Sequence, residues 1–225
     1  MLDGSEMDAT ASPVQGEKRW PMALTLVVAI ALPFLLPQRF SLGPRWIVPA
    51  LEALLLVALM VTDPGRIDRR STVVRGLSLA LVAVLVIGAA GVTARLVVDL
   101  IRGGPETNSP GQLLRVGSIV WVYLIITFSF LYWELDGGGP EARARAAPDY
   151  MDLAFPEHLN PHVTRPGWRP QFFDYLYLGF TDATAFSPTD VMPLARWAKL
   201  AMALQATACL IVMGLVIARA VNILK

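Results

Sequence analysis

Charged side chains are scarce in this sequence, and whole stretches of it contain none. Only 16% of the residues are Asp, Glu, Lys or Arg, whereas a soluble domain carries about 25%. Hydrophobic residues make up 55%. Because the charges are missing in long blocks, we predict an all-α integral membrane protein: a polytopic helical bundle with about five transmembrane helices and one short re-entrant helix and loop.

Other features are missing as well, and each absence removes a class of function. The single cysteine, Cys209, forms no intrachain disulfide. No basic stripe with interleaved aromatics is present, so we expect no nucleic-acid partner. His158 and His162 lie in a proline-flanked loop that does not favour convergence on a metal. With no glycine-rich phosphate loop and no nucleophile elbow, we predict no catalytic residues, no metal, no cofactor and no enzyme activity.

Five apolar stretches approach the length of about 20 residues that a helix needs to cross a bilayer. They are residues 20–37, 46–62, 76–93, 116–133 and 200–218. The division that follows from them is a disordered tail at 1–19, four transmembrane helices within 20–135, a Pro- and Gly-rich loop at 136–170, and a re-entrant segment with the last transmembrane helix at 171–225.

The segment 171–193 does not fit the pattern of a spanning helix. Its apolar part, residues 172–180, is too short to span, and Asp174 and Asp182 flank it. A polar turn and then a full span follow. Non-helical backbone at membrane depth is tolerated only where it is buried in protein or lines a water-filled cavity. We therefore predict a re-entrant loop whose polar groups face a pathway or neighbouring protein.

Residues 181–193, TDATAFSPTDVMP, resemble the pore loop of potassium channels, which reads roughly T-x-x-T-x-G-Y-G-D-x-x-P. Asp190 and Pro193 keep the spacing of that family. The resemblance implies a pore helix at 171–185 and an inner helix at 194–224. It also implies a homo-oligomer, a tetramer if channel-like, with small cations as partners in addition to the lipid bilayer.

The sequence departs from that family at the filter itself, where Ser187-Pro188-Thr189 replaces Gly-Tyr-Gly. Glycine lets successive carbonyls point at the ion, whereas proline fixes its φ near −65°. These departures argue against potassium selectivity by a ladder of carbonyls. The pore residues implied by the resemblance are Thr184, Ala185, Phe186, Ser187, Pro188, Thr189 and Asp190.

A second resemblance covers more of the chain. Residues 132–140, 180–193 and 218–222 are similar to a family of bacterial inner-membrane proteins defined only as a domain of unknown function. It implies a multi-pass protein of the cell inner membrane. The functional prediction is a channel-like protein that passes small cations. The alternative is a non-conducting scaffold or accessory subunit whose loop is only structural.

Orientation in the membrane stays open. The arginines in residues 66–75 favour a cytoplasmic position for that loop by the positive-inside rule. With five spans, a pore loop would then enter from the cytoplasm, whereas a potassium-channel layout requires the opposite side.

Four further acidic residues are candidates for binding ions or pairing with bases. Asp182, with Asp190, could form an acidic ring at a pore mouth, although Asp190 could instead cap the last helix. Glu52 is either a proton or ion site within the membrane or a group near its surface. Glu134 and Asp136 either pair with an arginine of the following loop or line a pore vestibule. That loop supplies Arg143, Arg145 and Arg169.

Overall fold

The computed structural model describes residues 16–62, 71–103, 109–145, 150–184 and 190–223. Eight α-helices and two short strands lie in these ranges. The helices are α1 Trp20–Leu35, α2 Ile47–Thr62, α3 Thr72–Arg102, α4 Pro110–Leu135, α5 Pro140–Arg145, α6 Pro156–Leu159, α7 Phe172–Thr184 and α8 Arg196–Ile223. The strands are β1 Leu153–Ala154 and β2 Met192–Pro193, and two single-turn 3-10 helices lie at Gln38–Phe40 and Asp136–Gly138.

Helices α3, α4 and α8 are long and apolar enough to cross a membrane. They contain 31, 26 and 28 residues, and at about 1.5 Å per residue each exceeds the roughly 30 Å of a hydrocarbon core. Helices α1 and α2 are also apolar but have 16 residues each. The chain is thus mostly helical, as predicted, and its three long apolar helices indicate a membrane protein.

Helix α4 lies at the centre of the bundle and sets its two ends. We name the end at which α4 terminates the C side, and the end at which α4 begins the N side. Helix α3 is antiparallel to α4, because Arg75 meets Glu134 on the C side and Gly88 meets Tyr123 near the middle of both helices.

Helix α8 also runs antiparallel to α4. Gln205 contacts Tyr132 in the C-side half, and Val216 lies against Gly117 in the N-side half. Helix α8 therefore begins on the C side and ends on the N side.

Helix α7 packs along only one half of α4. It starts on the C side, its Gly179 lies against Ser129, and the carbonyl of Ala183 near its end accepts a hydrogen bond of 3.4 Å from the indole of Trp121. Because Trp121 is near the middle of α4, α7 ends about halfway along that helix.

The two strands return the chain to the C side after α7. β1 precedes α7 in the sequence and β2 follows it, and the two pair antiparallel. Beyond β2, the carbonyl of Asp152 accepts hydrogen bonds from the amides of Leu194 at 2.8 Å and Ala195 at 3.2 Å. The start of α8 is thereby fixed beside the segment that leads into α7.

A run of three glycines turns the chain sharply at the end of α4. Gly137, Gly138 and Gly139 have φ values of 56°, 79° and 99°, a region that residues with a side chain avoid. A Cβ on Gly139 would also collide with the guanidinium of Arg75. This turn reverses the chain directly into α5.

We expect Gly179→Ala to lower the free energy of unfolding by about 1–3 kcal/mol, the usual cost of overpacking a tight contact. The added Cβ would lie 3.0 Å from the carbonyl oxygen of Ile125 and would collide with the Ser129 hydroxyl. Gly214→Ala in α8 is the control, because a Cβ at this position would meet no atom of the described chain within 4 Å. Thermal unfolding in detergent measures both; equal stability of the two variants would contradict the close approach.

Candidate functional site

Two of the predicted pore residues lie within the described part of the chain. Thr184 is the last residue of α7, and its hydroxyl donates to the carbonyl of Thr181 at 2.8 Å. Asp190 is exposed and lies just before β2. Because α8 begins only at Arg196, Asp190 is not its N-cap. The remaining predicted pore residues, Ala185, Phe186, Ser187, Pro188 and Thr189, lie outside the described residues.

Asp182 belongs to a buried polar network between α4, α7 and α8. The Tyr132 hydroxyl lies 2.7 Å from Gln205 Oε1 and 3.3 Å from Asp182 Oδ2. The amide of Gln205 donates from Nε2 to the carbonyl of Gly179 at 2.6 Å. Since this donation assigns Nε2, Gln205 Oε1 is an acceptor and takes the hydrogen of Tyr132.

Because the Tyr132 hydroxyl has a single hydrogen, it donates to only one of its two neighbours, Gln205 or Asp182. Once this hydrogen is donated to Gln205, a hydrogen bond between Tyr132 and Asp182 requires a protonated Asp182 that donates to the hydroxyl oxygen. Asp182 is only 8% exposed, and the fully buried Cys209 lies nearby on α8. Within one chain, Asp182 therefore holds helices together and does not face open solvent.

Glu134 pairs with an arginine from a distant helix. Arg75 of α3 places Nη1 2.5 Å from Glu134 Oε1 and 2.8 Å from the backbone oxygen of the same residue. The sequence predicted Arg143, Arg145 or Arg169 as partners of Glu134 and Asp136. The ion pair that Glu134 forms in the structure is with Arg75, while Arg143 contacts the backbone oxygen of Asp136. This ion pair joins the start of α3 to the end of α4 on the C side.

Asp136 connects three elements on the C side. Its carboxylate accepts from the amide of Leu153 in β1 at 3.2 Å and from the hydroxyl of Tyr175 in α7. Arg143 donates to the backbone oxygens of Asp136 and Trp133. The start of α7 is thus attached to the end of α4.

Glu17 is a site residue that the sequence did not reveal. It falls in the predicted disordered tail 1–19, of which residues 16–19 are described. Its carboxylate accepts from the backbone amide of Phe172, the first residue of α7, and from the indole of Trp133 at 3.0 Å. A carboxylate at this position caps the helix. No local sequence signal marks Glu17, because both partners lie far along the chain.

Glu52 is fully buried, on α2. Its Oε1 accepts from the hydroxyl of Tyr123 at 2.9 Å, while its Oε2 has no hydrogen-bond partner among the described residues. A Cβ on Gly88 would lie 2.7 Å from the same hydroxyl, so the glycine makes room for the pair. The structure thus places Glu52 inside the bundle, not at its surface.

Comparison with known proteins adds no relative: no protein-family model, curated protein or solved structure matches the chain. Among the residues that the structure describes, no three His, Cys, Asp or Glu side chains are grouped so that they could hold a metal ion. The candidate site consists of α7 and the groups that fix both of its ends.

We expect Tyr132→Phe to lower the free energy of unfolding by about 1–3 kcal/mol, because Gln205 Oε1 and Asp182 both lose the hydroxyl while they stay buried. Tyr177→Phe on α7 is the control, since this tyrosine is 53% exposed. Thermal unfolding in detergent compares the two variants. A Tyr132→Phe variant as stable as the control would show that the network does not hold α7.

The stability of the protein should fall as the pH rises from acid to neutral, in part because of Glu17. Burial raises its folded pKa above the ordinary 4.5. Its stabilising contribution is therefore fully present below 4.5 and is lost as the pH rises through the folded pKa. Glu17→Gln does not titrate, so the free energy of unfolding of this variant should depend less on pH. Denaturation measured across this pH range tests it; a slope equal to that of the wild type contradicts it.

Proposed function

We propose that the protein is a channel-like integral membrane protein that conducts small cations through an oligomeric pore lined by residues 184–190. The observation that carries this proposal is the placement of α7, a short helix held against α4 and α8 that ends halfway along α4. Thr184 is the last residue of α7, and Asp190 is the first described residue after it. The proposed pore lining therefore runs from the end of α7 to Asp190.

The length of α7 agrees with a re-entrant helix. Its 13 residues give about 20 Å at 1.5 Å per residue, which is less than the roughly 30 Å of a hydrocarbon core. In this proposal α7 enters from the C side and stops at mid-membrane. The backbone polar groups at its end are then hydrogen-bonded by neighbouring protein. The indole of Trp121 donates to the carbonyl of Ala183 in this way.

The return of the chain supports the same interpretation. Seven residues lie between Thr184 and Met192, and the eight steps that join the two residues reach at most about 26 Å at 3.3 Å per step. This length suffices to bring the chain back over α7 to the C side, where β2 pairs with β1. Entry and return at one side distinguish a re-entrant segment from a crossing one.

The remaining parts of the proposal concern the membrane and the assembly. We take the apolar stretches 20–37 and 46–62, which contain α1 and α2, as two further spans. This gives five spans, in a multi-pass protein of a bacterial inner membrane related to the family that the sequence resembles. One α7 per chain forms an axial pore only when several copies are arranged symmetrically. A tetramer follows from the likeness to potassium channels, with weak selectivity because Ser187, Pro188 and Thr189 replace the filter glycines and tyrosine.

Flux through purified protein in liposomes tests the proposal. We expect alkali cations to cross, and Asp190→Asn to reduce the flux about tenfold, because a ring of exposed carboxylates concentrates cations at the pore mouth. Glu157→Gln is the control, an acidic residue on the C side outside the pore segment. Flux no greater than that of empty liposomes for every alkali cation, from folded oligomers, would indicate a non-conducting scaffold.

A further inference from the structure

Glu52 occupies an unusual place for a carboxyl group. Its partner Tyr123 is near the middle of α4, and Gly88, which adjoins Tyr123, is near the middle of α3. Both helices are long and apolar enough to cross a membrane. Glu52 therefore lies at mid-depth of the bundle, where an ionisable group is costly and marks a functional site by default.

No basic side chain within the described ranges neutralises Glu52. Helix α1 has no charged residue, and α3 has none between Arg75 and Arg95. From α4 the facing titratable group is the hydroxyl of Tyr123. The nearest loop brings Arg45, whose guanidinium donates to the backbone oxygens of residues 34 and 36. An ionised carboxylate with one neutral hydrogen-bond donor is far from compensated.

A small cavity borders Tyr123 and the loop before α2. This loop lies on the N side, because Arg95 near the end of α3 donates to the carbonyl of Ser41. The cavity measures about 40 Å³, and its lining includes Tyr123 and Gly88 together with Ser41 and Arg45. A water molecule needs only about 10–15 Å³ of such volume. Because Tyr123, Ser41 and Arg45 offer polar groups, water in the cavity can carry hydrogen bonds from the loop to the Tyr123 hydroxyl.

The few oxygens around Glu52 decide which cation it can bind. Metal cations that bind oxygen ligands take about six or more of them. Here the carboxylate and one tyrosine hydroxyl supply three. A proton needs a single oxygen and removes the charge entirely, so it fits this site where a metal ion does not.

We propose that Glu52 and Tyr123 form a proton-binding site within the membrane, loaded through the cavity on the N side. A proton arriving in the cavity joins the oxygen of the Tyr123 hydroxyl, while the hydroxyl hydrogen passes to Glu52 Oε1. The carboxylate becomes a neutral carboxylic acid and Tyr123 is left neutral. Release follows the same path in reverse. This site uses α2, α3 and α4 and does not depend on the pore proposal.

Infrared spectroscopy of the full-length protein in lipid tests the protonation directly. We expect a carboxylic acid C=O band that is lost in Glu52→Gln and kept in Glu134→Gln, the control in which the buried carboxyl is paired with Arg75. The band should shift in D₂O, because the proton exchanges through the cavity. Tyr123→Phe should keep the band and slow this exchange at least about tenfold, as expected when a relay group is removed.

A second measurement needs no variant and so does not depend on folding of Glu52→Gln. Hydrophobic carbodiimides add only to protonated carboxylic acids and leave a stable acylurea, which mass spectrometry locates. We expect labelling of Glu52 that sodium and potassium do not suppress. Absence of both the label and the infrared band would overturn the proposal, since the group would then be ionised. Protection by an alkali cation would overturn it in favour of a metal site.

Discussion

The close approach of α7 to α4 at Gly179 is the contact on which the candidate site depends. Helices in a membrane gain little from burying apolar surface, so small residues and interhelical hydrogen bonds must hold them together. Gly179 provides both: it lets α7 come against Ser129, and its carbonyl accepts from Gln205. A larger residue here would separate α7 from α4 and break the network through Tyr132.

Two carboxyl groups fix the start of α7, in addition to the contact of Gly179 with α4. Glu17 accepts a hydrogen bond from the backbone amide of Phe172, the first residue of the helix. One turn later, Asp136 accepts a hydrogen bond from the hydroxyl of Tyr175. Asp136 is buried and Glu17 is half-buried, and burial raises the pKa of Glu17. Their hydrogen bonds attach the start of α7 to the end of α4 and the turn that follows it.

The sequence predicts the helices well because a long uncharged run has few other solutions in a bilayer. The same reasoning predicted a short helix at α7, because its apolar part is too short to span a membrane. The contacts that place α7 were not predictable, because their partners are distant: Glu17 and Phe172 are 155 residues apart, and Arg75 and Glu134 are 59 apart. Glu52 was left between two interpretations because its depth depends on which part of α4 lies opposite α2, and no local pattern reports that.

Helix α4 separates the Glu52 site from the polar network around Tyr132. Tyr123 and Tyr132 are nine residues apart, which is two and a half turns at 3.6 residues per turn, so they lie on opposite faces. Tyr123 faces α2 and α3 and contacts Glu52; Tyr132 faces α7 and α8 and contacts Gln205. Protonation of Glu52 therefore acts on a different helix pair from the one that holds α7. The two sites are joined both by α4 and by the direct contact between α3 and α8.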